Sequence, residues 1–190
     1  MILAHWRARR ANRRLIDQIH GKIVAAARRP ALYADFGASD TFEGRFEMMT
    51  LHAALVMRRL MKHSGAGAEL AHEIGDSVFR HFDVVLRETG LGDVAVAKRL
   101  RRMAEAFYGR SKAYGEALDD PDEDRLNRAL ARNVYGVAEV ALAPSAPRLA
   151  EFVRAAADAL DRTPLETFAA GEVAFPAPKR IAAESGAGHG

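Results

Sequence analysis

The sequence predicts an all-α fold, a single-domain bundle of about six helices. Apolar residues recur at spacings of three and four along most of the 190 positions, which is the signature of amphipathic helices. No segment shows the strict alternation of a half-buried strand. Short stretches rich in Gly, Pro, Ser and Asp punctuate the periodic runs about a helix length apart.

Taken in order, residues 13–28 place Leu15, Ile16, Ile19, Ile23, Ala26 and Ala27 on one stripe, and Pro30 ends the run. Residues 36–40 read as a loop. A second helix from about Thr41 to His63 carries Phe46, Met49, Ala53, Val56 and Leu60, and residues 64–67 form a linker. The third presents Leu70, Ile74, Val78, Phe82, Val85 and Leu86. Gly90 suits the left-handed position after a helix, and Asp93 is expected to cap the next. That fourth helix aligns Val96, Leu100, Met103, Phe107, Tyr114 and Leu118, with Lys98, Arg99, Arg101 and Arg102 on another face. Asp120-Pro121-Asp122-Glu123 is a helix-start signal for the fifth, which carries Leu126, Leu130, Val134 and Val137. Pro144 and Pro147 are expected to break that helix, a sixth covers about 148–161, and Thr163-Pro164-Leu165-Glu166 starts a short last one. The division expected is a basic N-terminal extension at 1–12, a helical domain at 13–170, and a flexible Gly/Ala/Pro-rich tail at 171–190.

Composition narrows the function classes. A 49% hydrophobic chain of this length is not wholly disordered. Cysteine is absent, which removes disulfides, thiolate metal sites and a cysteine nucleophile, and fits a reducing compartment. No apolar run approaches the ~18 residues that span a bilayer, and no segment resembles a signal peptide's apolar region. The expectation is therefore a soluble or peripheral protein of the cytoplasm, at the inner face of the membrane, or on the matrix side if mitochondrial. Residues 1–30 hold eight basic residues against the single acid Asp17, a net of +7 that leaves −4 for the rest of a +3 chain. Arg7, Arg9, Arg10, Arg13 and Arg14 are the candidate contacts to an anionic surface.

Motifs for chemistry are missing. The seven histidines show neither HExxH spacing nor the carboxylate–histidine set of a di-iron bundle, and read as surface or capping residues. No phosphate-binding loop, dinucleotide fingerprint or nucleophile elbow occurs. No metal, cofactor or catalytic residue is assigned. The basic clusters at Arg7–Arg14, Lys98–Arg102 and Arg128/Arg132 support an alternative, a nucleic-acid or ribosome-binding module. A third alternative is an enzyme whose site assembles between helices.

Four ordered motifs carry a resemblance. They are Asp40-Thr41-Phe42-Glu43-Gly44-Arg45-Phe46-Glu47 with Leu51-His52; Leu86-Arg87-Glu88-Thr89-Gly90-Leu91-Gly92-Asp93; Met103-Ala104-Glu105-Ala106-Phe107-Tyr108-Gly109-Arg110; and Tyr114, Ala117-Leu118 with Arg132-Asn133-Val134-Tyr135-Gly136. Over about residues 16–140 the chain resembles the ubiquinol–cytochrome c chaperone family. The stretch Gly75–Asp83 is more basic and poorer in Phe and Asp than is usual there, and Thr89 stands where methionine is common.

The resemblance implies a helical, non-enzymatic assembly factor of the cytochrome bc1 complex. It also implies binding of newly made cytochrome b, with a small partner protein, near the ribosomal exit. Arg45, His52, Arg87, Glu88, Asp93, Phe107, Tyr108, Arg110, Arg132, Asn133 and Tyr135 are the candidate client- or partner-binding residues. From the residues themselves, Arg87, Glu88 and Asp93 are expected to clamp a helix corner. Arg45, Arg110 and Arg132 are expected either to pair with Glu47, Glu105 or Glu88, or to hold a client's acidic groups or ribosomal phosphates. Phe107, Tyr108 and Tyr135 are expected in the core, the alternative being an apolar groove beside them that captures a client's membrane segment.

Overall fold

The computed structural model describes residues 2–178, with side chains described from residue 12 onward. The helices are α1 (Ile2–Ala27), α2 (Pro30–Ala34), α3 (Phe42–Met61), α4 (Ala66–Glu88), α5 (Asp93–Asp119), α6 (Asp124–Val134), α7 (Ala146–Asp161) and α8 (Leu165–Ala169), with a 3-10 turn at Val140–Leu142. No strand occurs among the described residues. The fold is all-α, and its six long helices are those the periodicity predicts.

Helix α3 is the centre of the bundle. Fourteen of its twenty residues are buried, because its sequence is apolar or small on nearly every side between Phe46 and Met57, and such a helix needs neighbours all round. Those neighbours are α1, α4, α5, α6 and α7. Each surrounding helix turns one stripe inward: Ile16, Ile19 and Ile23 from α1; Ile74, Val78, Phe82 and Leu86 from α4; Val96, Met103, Phe107 and Tyr114 from α5. From α6 come Leu126, Leu130 and Val134, and from α7 Leu149, Phe152, Val153 and Leu160.

The ends of the helices differ from expectation in instructive ways. Thr41 caps α3 as predicted, its Oγ1 accepting from Gly44 N at 3.2 Å, and Gly90 takes φ +78° after α4. Asp93 does not cap α5. It is the first helical residue, after Gly92, and its carboxylate accepts from Arg87 at 2.6 Å instead. Asp120 is likewise diverted: its Oδ1 accepts from Asp122 N, and Asp122 Oδ1 accepts from Asp124 N. These two stacked turns delay α6 to Asp124. Thr163 donates its hydroxyl back to Ala159 O at 2.9 Å, so α8 starts after Pro164. Helix α6 stops at Val134 because Gly136 turns left-handed at φ +69°, ahead of either proline.

Both ends of the expected domain also need revision. Helix α1 begins at Ile2, so residues 2–12 of the expected basic extension are the first turns of this helix rather than a segment preceding it. The side chains of Arg7, Arg9 and Arg10 lie outside the described residues, while Arg13 and Arg14 are exposed. Residues 171–178 do not form the start of a loose tail. Val173 and Phe175 are buried in the core, and Arg29 donates to Phe175 O at 3.1 Å and to Pro176 O. This strap crosses the bundle and packs Phe175 against His52. The remainder of the expected tail, 179–190, lies outside the described residues.

Candidate functional site

The motif residues gather at three places. The first is the seam between α3 and α5. Both helices bury their apolar stripes here, and Glu47 is carried inward with Phe46 and Met48. Arg110 Nε donates to Glu47 Oε2 at 2.6 Å, with its guanidinium 5.7 Å from the Phe46 ring centre. Toward the N-terminal end of both helices, Arg99 donates to Glu43 at 2.8 Å and lies 4.6 Å from the Phe42 centre. A shallow groove of about 350 Å³ follows the seam, floored by Phe42, Phe46, Met103 and Ala106. Burial pushes the Glu47 carboxyl up to about 7 against the opposing pull of Arg110.

The seam continues into the α5–α6 junction. Tyr114 is fully buried, and burial, then the charge of Glu47, raises its hydroxyl pKa, while Asn133 is its opposing polar neighbour. Neither Tyr114 Oη nor Asn133 Nδ2 has a partner of good hydrogen-bond geometry among the described residues; Thr50 Oγ1 and Ser111 Oγ share that state. Tyr135 is half-buried and donates to Phe36 O at 2.7 Å, tying α6 to the segment after α2. Burial lifts its hydroxyl to about 12. Arg132 is exposed and donates to its neighbour Asn133 at 3.4 Å.

The second place is the α4–α5 corner. Arg87 bridges Asp83 at 2.9 Å and Asp93 at 2.6 Å, and Glu88 is exposed beside them. The third is the start of α3, where Arg45 donates to Asp40 at 2.7 Å in an exposed pair. Arg110 thus finds one of the acids expected of it, Glu47, whereas Arg45 turns to Asp40 and Arg132 to an amide.

Several residues lie elsewhere than the periodicity suggests. Tyr108 is 46% exposed, not core. It follows buried Phe107 by one residue on α5, so a 100° step carries it off the inner stripe. His52 is the opposite case, a histidine with no exposed surface. Its Nδ1 donates to Met48 O at 2.7 Å, and burial lowers its pKa to about 4. His20 is half-buried, its Nδ1 donating to Ser77 Oγ at 3.0 Å while Ser77 donates to Ile74 O. Burial, then repulsion from His81 and Arg80, lowers His20 to about 4.

Lys98 and Arg101 on the outer face of α5, and Arg102 at the edge of the α3–α5 groove, are exposed. None has an ion-pair partner among the described residues, in contrast to Arg99 and Arg110. A separate apolar groove of about 400 Å³ opens between α1, α4 and α8, lined by Leu15, Leu60, Leu70, Leu165 and Phe168 and rimmed by Glu69 and Glu73. No group of three or more His, Asp or Glu placed to hold a metal ion occurs among the described residues.

The sequence profile described as ubiquinol-cytochrome C chaperone matches residues 34–175. The chain belongs to the ubiquinol–cytochrome c chaperone family. The crystal structure of the Cbp3 homolog from Brucella abortus is 38% identical in sequence, with a TM-score of 0.81 over 94% of this chain and 98% of that one. Comparison with curated proteins gives no significant match. The family region ends at Phe175, the last buried residue of the strap, so the strap belongs to the chaperone domain. All of α1 lies outside the matched span, although Ile16, Ile19 and Ile23 are core.

Sequence reasoning missed the arginines that tie this chaperone together. Arg58 bridges Asp119 and Asp161, Arg59 donates to Leu160 O and Thr163 O, and Arg29 holds the strap. The acceptors lie about 60 to 150 residues away, so no local pattern marks them.

Proposed function

We propose that the protein is a non-enzymatic assembly chaperone of the cytochrome bc1 complex, acting at the inner face of the membrane. In this reading it holds newly made cytochrome b until the client joins its partner subunits. The observation that carries the reading is family membership together with likeness to a Cbp3 homolog over nearly the whole of both chains. The surface supports it in kind. An unassembled membrane segment presents apolar area, and the groove between α1, α4 and α8 offers Leu15, Leu70, Leu165 and Phe168 with a charged rim. Most motif residues bond within the fold, while the motif side chains of Glu88, Tyr108 and Arg132 keep surface exposed to a partner.

Affinity capture from cells that make a bc1 complex tests this. Cytochrome b is expected in the captured material, and bc1 levels are expected to fall in a deletion strain. Normal bc1 levels with no cytochrome b captured would overturn it.

A second reading, a nucleic-acid or ribosome-binding module, is favoured by one observation, the cluster of Lys98, Arg101 and Arg102, exposed and without an ion-pair partner among the described residues. It requires RNA binding by purified protein that weakens steeply as salt rises.

A further inference from the structure

Helix α5 turns two opposite faces to its surroundings. Val96, Met103, Phe107 and Tyr114 are buried. Val94, Lys98, Arg101, Glu105 and Tyr108, spaced by four and three, run along the other side and are all exposed. The end of this outer stripe is unusual. Val94 is 85% exposed, and Leu91, in the corner just before it, is 39% exposed. Val84, on the last turns of α4, is 55% exposed. Aliphatic side chains at the tip of a helical hairpin gain nothing from water.

Lys98, Arg101 and Arg102 stand one to two turns further along. The fold neutralises most other arginines near them: Arg87 by Asp83 and Asp93, Arg99 by Glu43, Arg110 by Glu47. These three cations have no such partner among the described residues. An apolar tip backed by unneutralised cations is complementary to an anionic bilayer surface, where aliphatic groups enter the acyl boundary and cations meet headgroup phosphates. Tyr108, further down the stripe, is the residue type that settles at the headgroup level. RNA is the poorer fit, because Leu91 and Val94 offer a base nothing to stack on.

We propose that the α4–α5 corner is a docking surface for an anionic lipid leaflet, with Leu91 and Val94 inserted and Lys98, Arg101 and Arg102 on the phosphates. This deepens the peripheral placement of the reading above and moves the contact from the basic N-terminus to a face of the folded domain. Its test uses no client, so its failure is distinct from failure of the chaperone reading.

The experiment is cosedimentation of the purified full chain with phosphatidylcholine vesicles, with and without phosphatidylglycerol. Binding is expected only with the anionic lipid, weakening at high salt. Lys98→Ala/Arg101→Ala/Arg102→Ala is expected to weaken it about 100-fold, each cation being worth about fivefold. Leu91→Ser/Val94→Ser is expected to weaken it roughly tenfold through lost insertion, with an unchanged circular dichroism spectrum because both positions are exposed. No binding to anionic vesicles overturns the proposal. So does binding that either variant leaves intact, which assigns the contact elsewhere, for instance to Arg7–Arg14. Binding of single-stranded RNA alone, lost in the charge variant, also overturns it.

Discussion

His52 lies between the rings of Phe152 and Phe175, with centroids 6.0 and 5.1 Å away, and its Nε2 has no hydrogen-bond partner among the described residues. A charge there would be desolvated, so the folded protein holds the imidazole neutral down to about pH 4, below the ordinary 6.5. Between these values the unfolded chain binds the extra proton. The stability His52 contributes is therefore complete above 6.5 and is lost as pH falls through the window toward 4. His20 acts in the same direction over the same window. Glu47 opposes them: raised from 4.5 to about 7, it binds a proton more readily when folded, so its contribution falls as pH rises through that range. Two histidines against one carboxyl leave a net gain with rising pH. The urea midpoint is expected to be lower at about pH 5 than at about pH 7, and His52→Gln is expected to shrink the difference. An equal or higher midpoint at the acid end would refute the assignment.

The Glu47–Arg110 pair gives a second residue-scale expectation. Above the Glu47 titration point, at about pH 8, Arg110→Met leaves a buried carboxylate without its counter-charge and should cost about 2 kcal/mol by denaturant unfolding, less than a fully buried pair because Arg110 reaches solvent. Glu47→Leu/Arg110→Met removes both charges and should recover most of that loss. A double variant as unstable as the single one would show that the pair, and not burial of a lone charge, is what matters.

At the scale of the element, two helical glycines predict opposite outcomes. A Cβ on Gly44 would sit 1.8 Å from Ser39 O. That oxygen is backbone and cannot rotate away, so Gly44→Ala must displace the loop that precedes α3 and disturb the Thr41 cap. Its cost should exceed about 2 kcal/mol. Gly109, in the middle of α5, would place a Cβ in open space, so Gly109→Ala should stabilise by up to about 1 kcal/mol. Thermal melting of both variants checks the pair. The same contrast explains which elements the sequence made legible. Long helices announce themselves by repeating an inward stripe, as α3 does from Phe46 to Leu60. Helix α2 has five residues, too few to repeat anything. The helix starts near Asp93, Asp120 and Thr163 shift because each side-chain oxygen serves another partner. A propensity cannot know of Arg87, six residues before Asp93.

At the scale of the whole molecule, the family motifs proved to be mostly joints: Arg110 with Glu47, Tyr135 with Phe36, Arg87 with Asp83 and Asp93. A motif read in one dimension gives residue types and order but not which side of a helix faces solvent. That is why Tyr108 and His52 exchanged their expected surroundings. The strap was hidden for a different reason. Gly171 to Pro176 carries only Val173 and Phe175 as core residues, within a Gly-, Ala- and Pro-rich composition that reads as tail. Yet Phe175 packs edge-on against His52, and Arg29 anchors the strap through carbonyls that any sequence would supply. The strap therefore has two separable supports. Phe175→Ala opens a cavity beside α3 and α7 and should cost about 3 kcal/mol in global stability. Arg29→Ala removes the anchor while leaving the core filled, so its main effect is expected in faster amide hydrogen exchange over residues 172–176, with a smaller shift in melting temperature. If Arg29→Ala destabilised the whole bundle as much as Phe175→Ala does, strap and bundle would unfold as a single cooperative unit.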